Sequence, residues 1–303
     1  MISPGRLWWL FRRDLKRGWK ASYHDYQTLG RIEQWHWPYW AEKPATVPIH
    51  ILTGAKDWRL AIWMLASFFH YTEMAWPLIV HDDGTLPAEG RATLQRIFPD
   101  LRLITRAEAD AVMEKVLTPF PFCLEYRQRH PLALKIFDAP HFTTGRKFLL
   151  LDSDVLFFDR PTEILAWSSN DEPESWFNED VQEGSLVSAA EARSELGIKL
   201  WARVNSGLCL LNRAAIDFDF CDRALAETSI SSGHVWRMEQ TLFALCASRA
   251  GRGGLLPKSY EVSLGRRASP GAISRHYVGA VRDRFYSEGL ERLHATLLPL
   301  EVS

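Results

Sequence analysis

Several absences narrow what this chain of 303 residues can be. It has only four cysteines, Cys123, Cys209, Cys221 and Cys246, with no C-x-x-C spacing among them. In apolar surroundings they read as buried free thiols of a reducing compartment, which excludes a disulfide framework and argues against a zinc site. Long hydrophobic runs are missing too. The longest apolar stretch, 60–69, falls well short of the ~20 residues a membrane-spanning helix needs. The start carries charge but no uninterrupted apolar core before a small-residue cleavage site, so no signal peptide is expected. Net charge is −1, which leaves nothing to favour general binding of nucleic acid. Neither G-x-G-x-x-G nor G-x-x-x-x-G-K-[ST] occurs, so a dinucleotide fingerprint and a phosphate-binding loop are both excluded.

What is present is a hydrophobic content of 47%, enough at this length for a large globular core. From Val47 onward, short apolar runs alternate with helical periodicity. The expected strands are 49–54, 78–80 and 101–104, and the expected helices 57–71, 87–98, 106–116 and 131–139. That alternation predicts an α/β domain with a mostly parallel central sheet and flanking helices. Ligands of such sheets bind outside the carboxyl ends of the strands. Residues 168–184 are acidic with no basic residue and read as a surface loop or lid. A short strand is expected at 186–189, a longer one at 204–212, a helix at 236–249 and a flexible turn at 249–254.

Residues 148–158 read FLLLDSDVLFF. A short continuous apolar run between turn-forming residues predicts one buried strand. Asp152 and Asp154 would then share a face, since side chains i and i+2 of a strand point the same way. Two like charges that close in a half-buried place repel and are poorly solvated. A divalent cation, a shared proton or a turn open to water would resolve the conflict.

The first 44 residues form a basic and aromatic extension, with six of the thirteen tryptophans in the first forty. On a helical wheel Trp8, Phe11, Leu15 and Trp19 make one stripe, with Arg13, Arg17 and Lys20 on the other side. Such a segment, here 5–20, either packs its stripe on the domain or lays it on a membrane surface. The run Trp35-His36-Trp37-Pro38-Tyr39-Trp40 that follows is too aromatic for a free linker. The localisation expected is cytoplasmic, with peripheral contact to the inner face of a membrane under the second reading.

Four elements in order carry a family resemblance. They are the apolar run ending in Asp152-Ser153-Asp154, the strand opening Asn205-Ser206-Gly207 and closing at Asn212, the pair Glu239-Gln240 in a helix, and His276-Tyr277-Val278-Gly279 near the end. In this order the chain resembles the A-type fold glycosyltransferases, and among them the glycogenin and lipopolysaccharide galactosyltransferase family (family 8). The resemblance spans roughly 47–290 and implies a glycosyltransferase domain at 45–295. The sequence departs from the family in having Glu239 where Asp is usual. It also has Val281-Arg282-Asp283-Arg284-Phe285 where Lys-Pro-Trp commonly follows.

The resemblance implies transfer of a sugar from a nucleotide diphosphate, a UDP-sugar, with retention of configuration. The acceptor would be a glycan, lipid-linked or protein. It implies a Mn2+ or Mg2+ cofactor on Asp154 and His276, with Asp152 on the metal or on the ribose. Ser153 and Gly207 would line the donor site. Lys135 would contact phosphate or donor sugar, and Arg282 or Arg284 would stand in for the missing lysine. Asn205, Glu239 and Gln240 would hydrogen-bond the sugar near its anomeric carbon, the last two as catalytic residues, and Thr53 would approach the uridine. Hard oxygen ligands suit either cation, and one imidazole favours manganese. Two alternatives are a haloacid-dehalogenase-type phosphatase, whose strand also ends in D-x-D, and a non-catalytic carbohydrate-binding protein on the same fold. No Gly-Asp dipeptide for the phosphatase's later metal site occurs.

Overall fold

The computed structural model describes residues 3–36 and 44–298. Of the aromatic run, Trp37 to Trp40 lie outside these. Among the described residues, ten strands form two sheets. They are β1 Ile49–Thr53, β2 Leu78–Asp82, β3 Arg102–Ile104, β4 Lys147–Leu151, β5 Val155–Phe157, β6 Ser175–Glu179, β7 Val204–Asn212, β8 Gly253–Leu255, β9 Tyr260–Val262 and β10 Ser274–His276. The central sheet runs β3-β2-β1-β4-β7-β6-β8 and the small one β5-β10-β9. β1 to β4 pair in parallel, β7 runs antiparallel to β4 and β6, and β8 is parallel to β6. The near-continuous apolar runs of β1, β2 and β4 follow from burial on both faces. The helix Trp58–Thr72 is buried along almost its whole length because it lies beneath both sheets, with Ser67 Oγ accepting from Phe157 N–H at 3.1 Å. Leu29, Ile32 and Trp35 of the extension join the same core, and the Trp63 indole donates to Leu29 O at 3.0 Å. No helix among the described residues is long and apolar enough to cross a membrane.

Four expectations are corrected. The run 148–158 is two strands of different sheets, and Asp152-Ser153-Asp154 is the turn between them. Val155 N–H donates to Asp152 O at 3.2 Å, closing it. Acids accept turns more readily than an interior strand position, and here the chain must change sheets. The acidic segment 168–184 contains β6, an interior strand between β7 and β8. Its acids flank an inward-packed Phe177 and Asn178, both fully buried. Residues 186–189 are not a strand: Ser188 caps the helix Ala189–Leu196 by accepting from Glu191 N–H at 3.1 Å. The turn at 249–254 contains the start of β8, whose Gly253 has φ +111°. A Cβ there would lie 1.9 Å from Ser175 O, so only glycine lets the two strands approach.

Two buried imidazoles brace β1 against β2. Thr143 hydroxyl donates to Ala139 O at 2.7 Å, so it accepts from His50 Nε2 at 2.9 Å. His50 Nδ1 then accepts from His81 Nε2 at 2.9 Å, and His81 Nδ1 has no partner. Both rings are therefore neutral. Burial pushes His81 down from 6.5 to about 3, and His50 well below its ordinary value. The unfolded chain takes up these protons below about pH 6.5 while the folded chain does not. The stability they contribute is thus complete above that pH and is lost as pH falls toward 3. At about 1.4 kcal/mol per unit, His81 alone should remove roughly 2 kcal/mol by pH 5. The urea midpoint should fall between pH 6.5 and pH 5, and fall less in His81→Gln. An equal fall in both proteins would mean that His81 is not the group responsible.

Candidate functional site

The carboxyl ends of β1, β2 and β4 share one edge of the central sheet. Because β7 is antiparallel to β4, with Leu151 opposite Leu208, its entry Asn205-Ser206-Gly207 runs beside the Asp152–Asp154 turn. Asp152 N–H donates to Gly207 O at 2.8 Å and locks the two together. β10 brings the last piece. His276 pairs opposite Val155, next to Asp154.

Asp152, Asp154 and His276 each offer one ligand atom, and these atoms lie within 4.8 Å of one another. His276 Nε2 is 3.2 Å from Asp154 Oδ1 and 3.9 Å from Asp152 Oδ2. Its Nδ1 is 2.8 Å from Asn205 Oδ1. The Asn205 amide has one orientation, because its Oδ1 accepts from Gly207 N–H at 3.0 Å and its Nδ2 donates to Asp180 at 2.9 Å. Nδ1 of His276 must therefore carry a proton, which leaves Nε2 facing the two carboxylates. Without a cation, burial works against charge on both partners of the His276–Asp154 pair. Their mutual attraction outweighs it, so the imidazole is raised and the carboxyl lowered. Gly207 sits under the ring, where a Cβ would meet His276 Cε1 and Nδ1 at 2.2 Å.

Lys135 lies behind the turn, 2% exposed. Its Nζ is 2.9 Å from Asp152 Oδ1, 2.7 Å from Glu239 Oε1 and 3.2 Å from Ser206 O. Burial opposes its charge, but the Asp152 and Glu239 carboxylates prevail and raise it. Burial raises Glu239, against the pull of Lys135. Ser206 hydroxyl donates to Glu239 Oε2 at 3.0 Å, and its N–H to Gln240 Oε1 at 3.4 Å. Lys135 thus holds Asp152 and Glu239 at fixed separation, which aligns the Asp152–Asp154 turn with the helix Val235–Ala250.

The other residues singled out in the sequence are placed as follows. Ser153 is buried in the turn. Thr53 ends β1 with a buried hydroxyl that has no hydrogen-bond partner. Arg282 Nε is 3.7 Å from Asp154 Oδ2 and its Nη2 is 2.7 Å from Asp57 Oδ1. Arg284 points elsewhere, donating to Arg266 O at 3.1 Å. Two site residues carried no signal in the sequence. Asp57 precedes the helix Trp58–Thr72 and reaches the site only through Arg282. Burial raises its carboxyl, against the pull of Arg282. Asp180 follows β6, and nothing local distinguishes it from its acidic neighbours.

No family model matches the sequence, and no curated protein matches it. Solved structures do. The galactosyltransferase LgtC, in complex with donor and acceptor sugar analogues, superposes with a TM-score of 0.57 at 16% identity, over 84% of this chain and 98% of its own. The bifunctional glycosyltransferase WbbM gives 0.56 at 13% identity over 84% of this chain. This chain spans only 50% of WbbM's length. Mouse xyloside xylosyltransferase 1 gives 0.52 at 13% identity, over 78% of this chain and 98% of its own. Likeness at these identities is likeness of fold, and the fold is the A-type glycosyltransferase fold that the four sequence elements imply.

Proposed function

We propose that this chain, built on the A-type glycosyltransferase fold, transfers a sugar from a nucleotide diphosphate, of the UDP type, with retention, to a glycan, lipid-linked or protein acceptor. The domain at 45–295 would carry the activity. One observation supports this above all others: Asp152 and Asp154, from the turn after β4, and His276, from β10, converge at the carboxyl edge of the sheet. The four buried free thiols favour the cytoplasm.

The donor set fits a divalent cation. Two carboxylates and an imidazole whose Nε2 is aimed at them suit manganese, or magnesium. Such a cation, when bound, neutralises the charge that grows on a departing diphosphate. The chain's own residues would do the rest. Asn205 orients His276, and Lys135 orients Asp152. Arg282, half exposed beside Asp154 and steadied by Asp57, is the cation placed to meet a phosphate oxygen. Glu239 and Gln240 would bind the sugar beside its anomeric carbon, with Ser206 fixing both side chains. Ser153 and Gly207 would line the donor pocket, and the unpartnered Thr53 hydroxyl is available to the uridine. A dehalogenase-type phosphatase would place its acids after the first strand of the fold, whereas here they follow the fourth.

Calorimetry with uridine diphosphate, with and without manganese, tests this reading. Binding should require the metal. Asp154→Asn should fold normally and lose metal-dependent binding by more than the roughly 10–100-fold that removing an outer-shell partner costs. His276→Ala should weaken it less, because water can take one position. Equal binding to wild type and Asp154→Asn in both conditions would remove the reading. Binding without turnover across uridine and guanosine diphosphate sugars would favour a non-catalytic binder.

A further inference from the structure

The helix Pro4–Arg17 is docked with its polar side inward. Arg17, its side chain 4% exposed, pairs with Asp25 at 2.9 Å and lies over the Tyr286 ring at 4.7 Å. Arg13 pairs with Asp14 at 2.7 Å and with Asp25 at 3.3 Å. The apolar side faces out. Leu7, Trp8, Phe11 and Leu15 are 54, 60, 55 and 68% exposed, and Trp19, just past the helix, is 75% exposed. A helix of a globular domain normally buries this stripe, because apolar burial is its chief source of stability. Here none of the described residues buries the stripe, which leaves an apolar face for a partner.

Charge identifies the occupant. Arg6, Arg12 and Lys16 are exposed along the same helix. Its one acid, Asp14, is engaged by Arg13 and by the Tyr26 hydroxyl at 2.9 Å. Tryptophan and leucine on one side with exposed cations beside them match the boundary between headgroups and acyl chains of an anionic bilayer. We infer that this face docks on an anionic lipid surface. The contact is tied to the candidate site, since Tyr286, on which Arg17 rests, is four residues past Arg282.

Sedimentation with lipid vesicles tests this without reference to donor binding, so the two readings fail separately. The full chain should pellet with phosphatidylcholine vesicles containing phosphatidylglycerol and much less with pure phosphatidylcholine. Phe11→Ser/Leu15→Ser should weaken binding by at least about tenfold. Arg12→Gln/Lys16→Gln should remove the preference for anionic lipid. Thermal unfolding should not change in either variant, because all four side chains are exposed. A full chain that stays in solution, or a serine variant that pellets like wild type, would overturn the inference. So would a lipid-free dimer that the serine variant splits, since the face would then belong to a second copy of this chain.

Discussion

Gly207→Ala should abolish metal-dependent binding of uridine diphosphate while leaving a folded protein. The added Cβ would lie 2.2 Å from the His276 ring, inside any tolerable contact. Neither partner can yield cheaply. The ring is held by Asn205 and Asp154, and its backbone is paired to β5 on one side and β9 on the other. Gly207 itself is in β7, hydrogen-bonded to Asp152. Its backbone is not in the left-handed region, so the effect is steric and not conformational. Overpacking of this kind costs about 1–3 kcal/mol of stability. The displaced imidazole should reduce metal affinity by at least the roughly 10–100-fold seen when an orienting partner is lost. Manganese binding followed by electron paramagnetic resonance, beside urea unfolding, separates the two effects. Wild-type affinity in Gly207→Ala would mean that the position of His276 does not matter to the cation.

Lys135→Met should destabilise the fold by about 3–5 kcal/mol, the usual consequence of leaving a buried charge without its partner. Lys135 is the cation between two carboxylates, and Glu239 beside it is 2% exposed. Methionine matches the length of the lysine stem but leaves Glu239 with only the Ser206 hydroxyl. The double variant Lys135→Met/Glu239→Gln should recover much of the loss, because a neutral amide removes the stranded charge. A double-mutant cycle on urea midpoints reads the coupling directly. If Lys135→Met costs under about 1 kcal/mol, the triad is not holding the turn and the helix Val235–Ala250 in register. If the double variant is as unstable as the single one, the loss comes from packing and not from charge.

The features that the sequence determined are those written in local periodicity. The first strands, β1 to β3, and the helices between them follow from runs of apolar residues and their spacing, because a strand buried on both faces must be apolar throughout. The order of D-x-D, Asn-Ser-Gly, Glu-Gln and the late histidine was enough to imply the fold. Non-local pairing decided the rest. Whether Asp152-Ser153-Asp154 is strand or turn depends on the small sheet, whose other strands begin about a hundred residues later. Strand β6 was hidden because its acids advertise solvent, while its place between β7 and β8 buries Phe177 and Asn178. Asn205 became the residue that orients His276 only when β10 folded against β5. Asp57 reached the site only through Arg282, which comes more than 200 residues later in the chain. The helix Pro4–Arg17 showed its stripe in the sequence, but the direction of the stripe came from Arg17 finding Asp25 and Tyr286. A side chain's type is local, whereas its partner is set by which segments the core brings together, and in this site nearly every partner is distant in sequence.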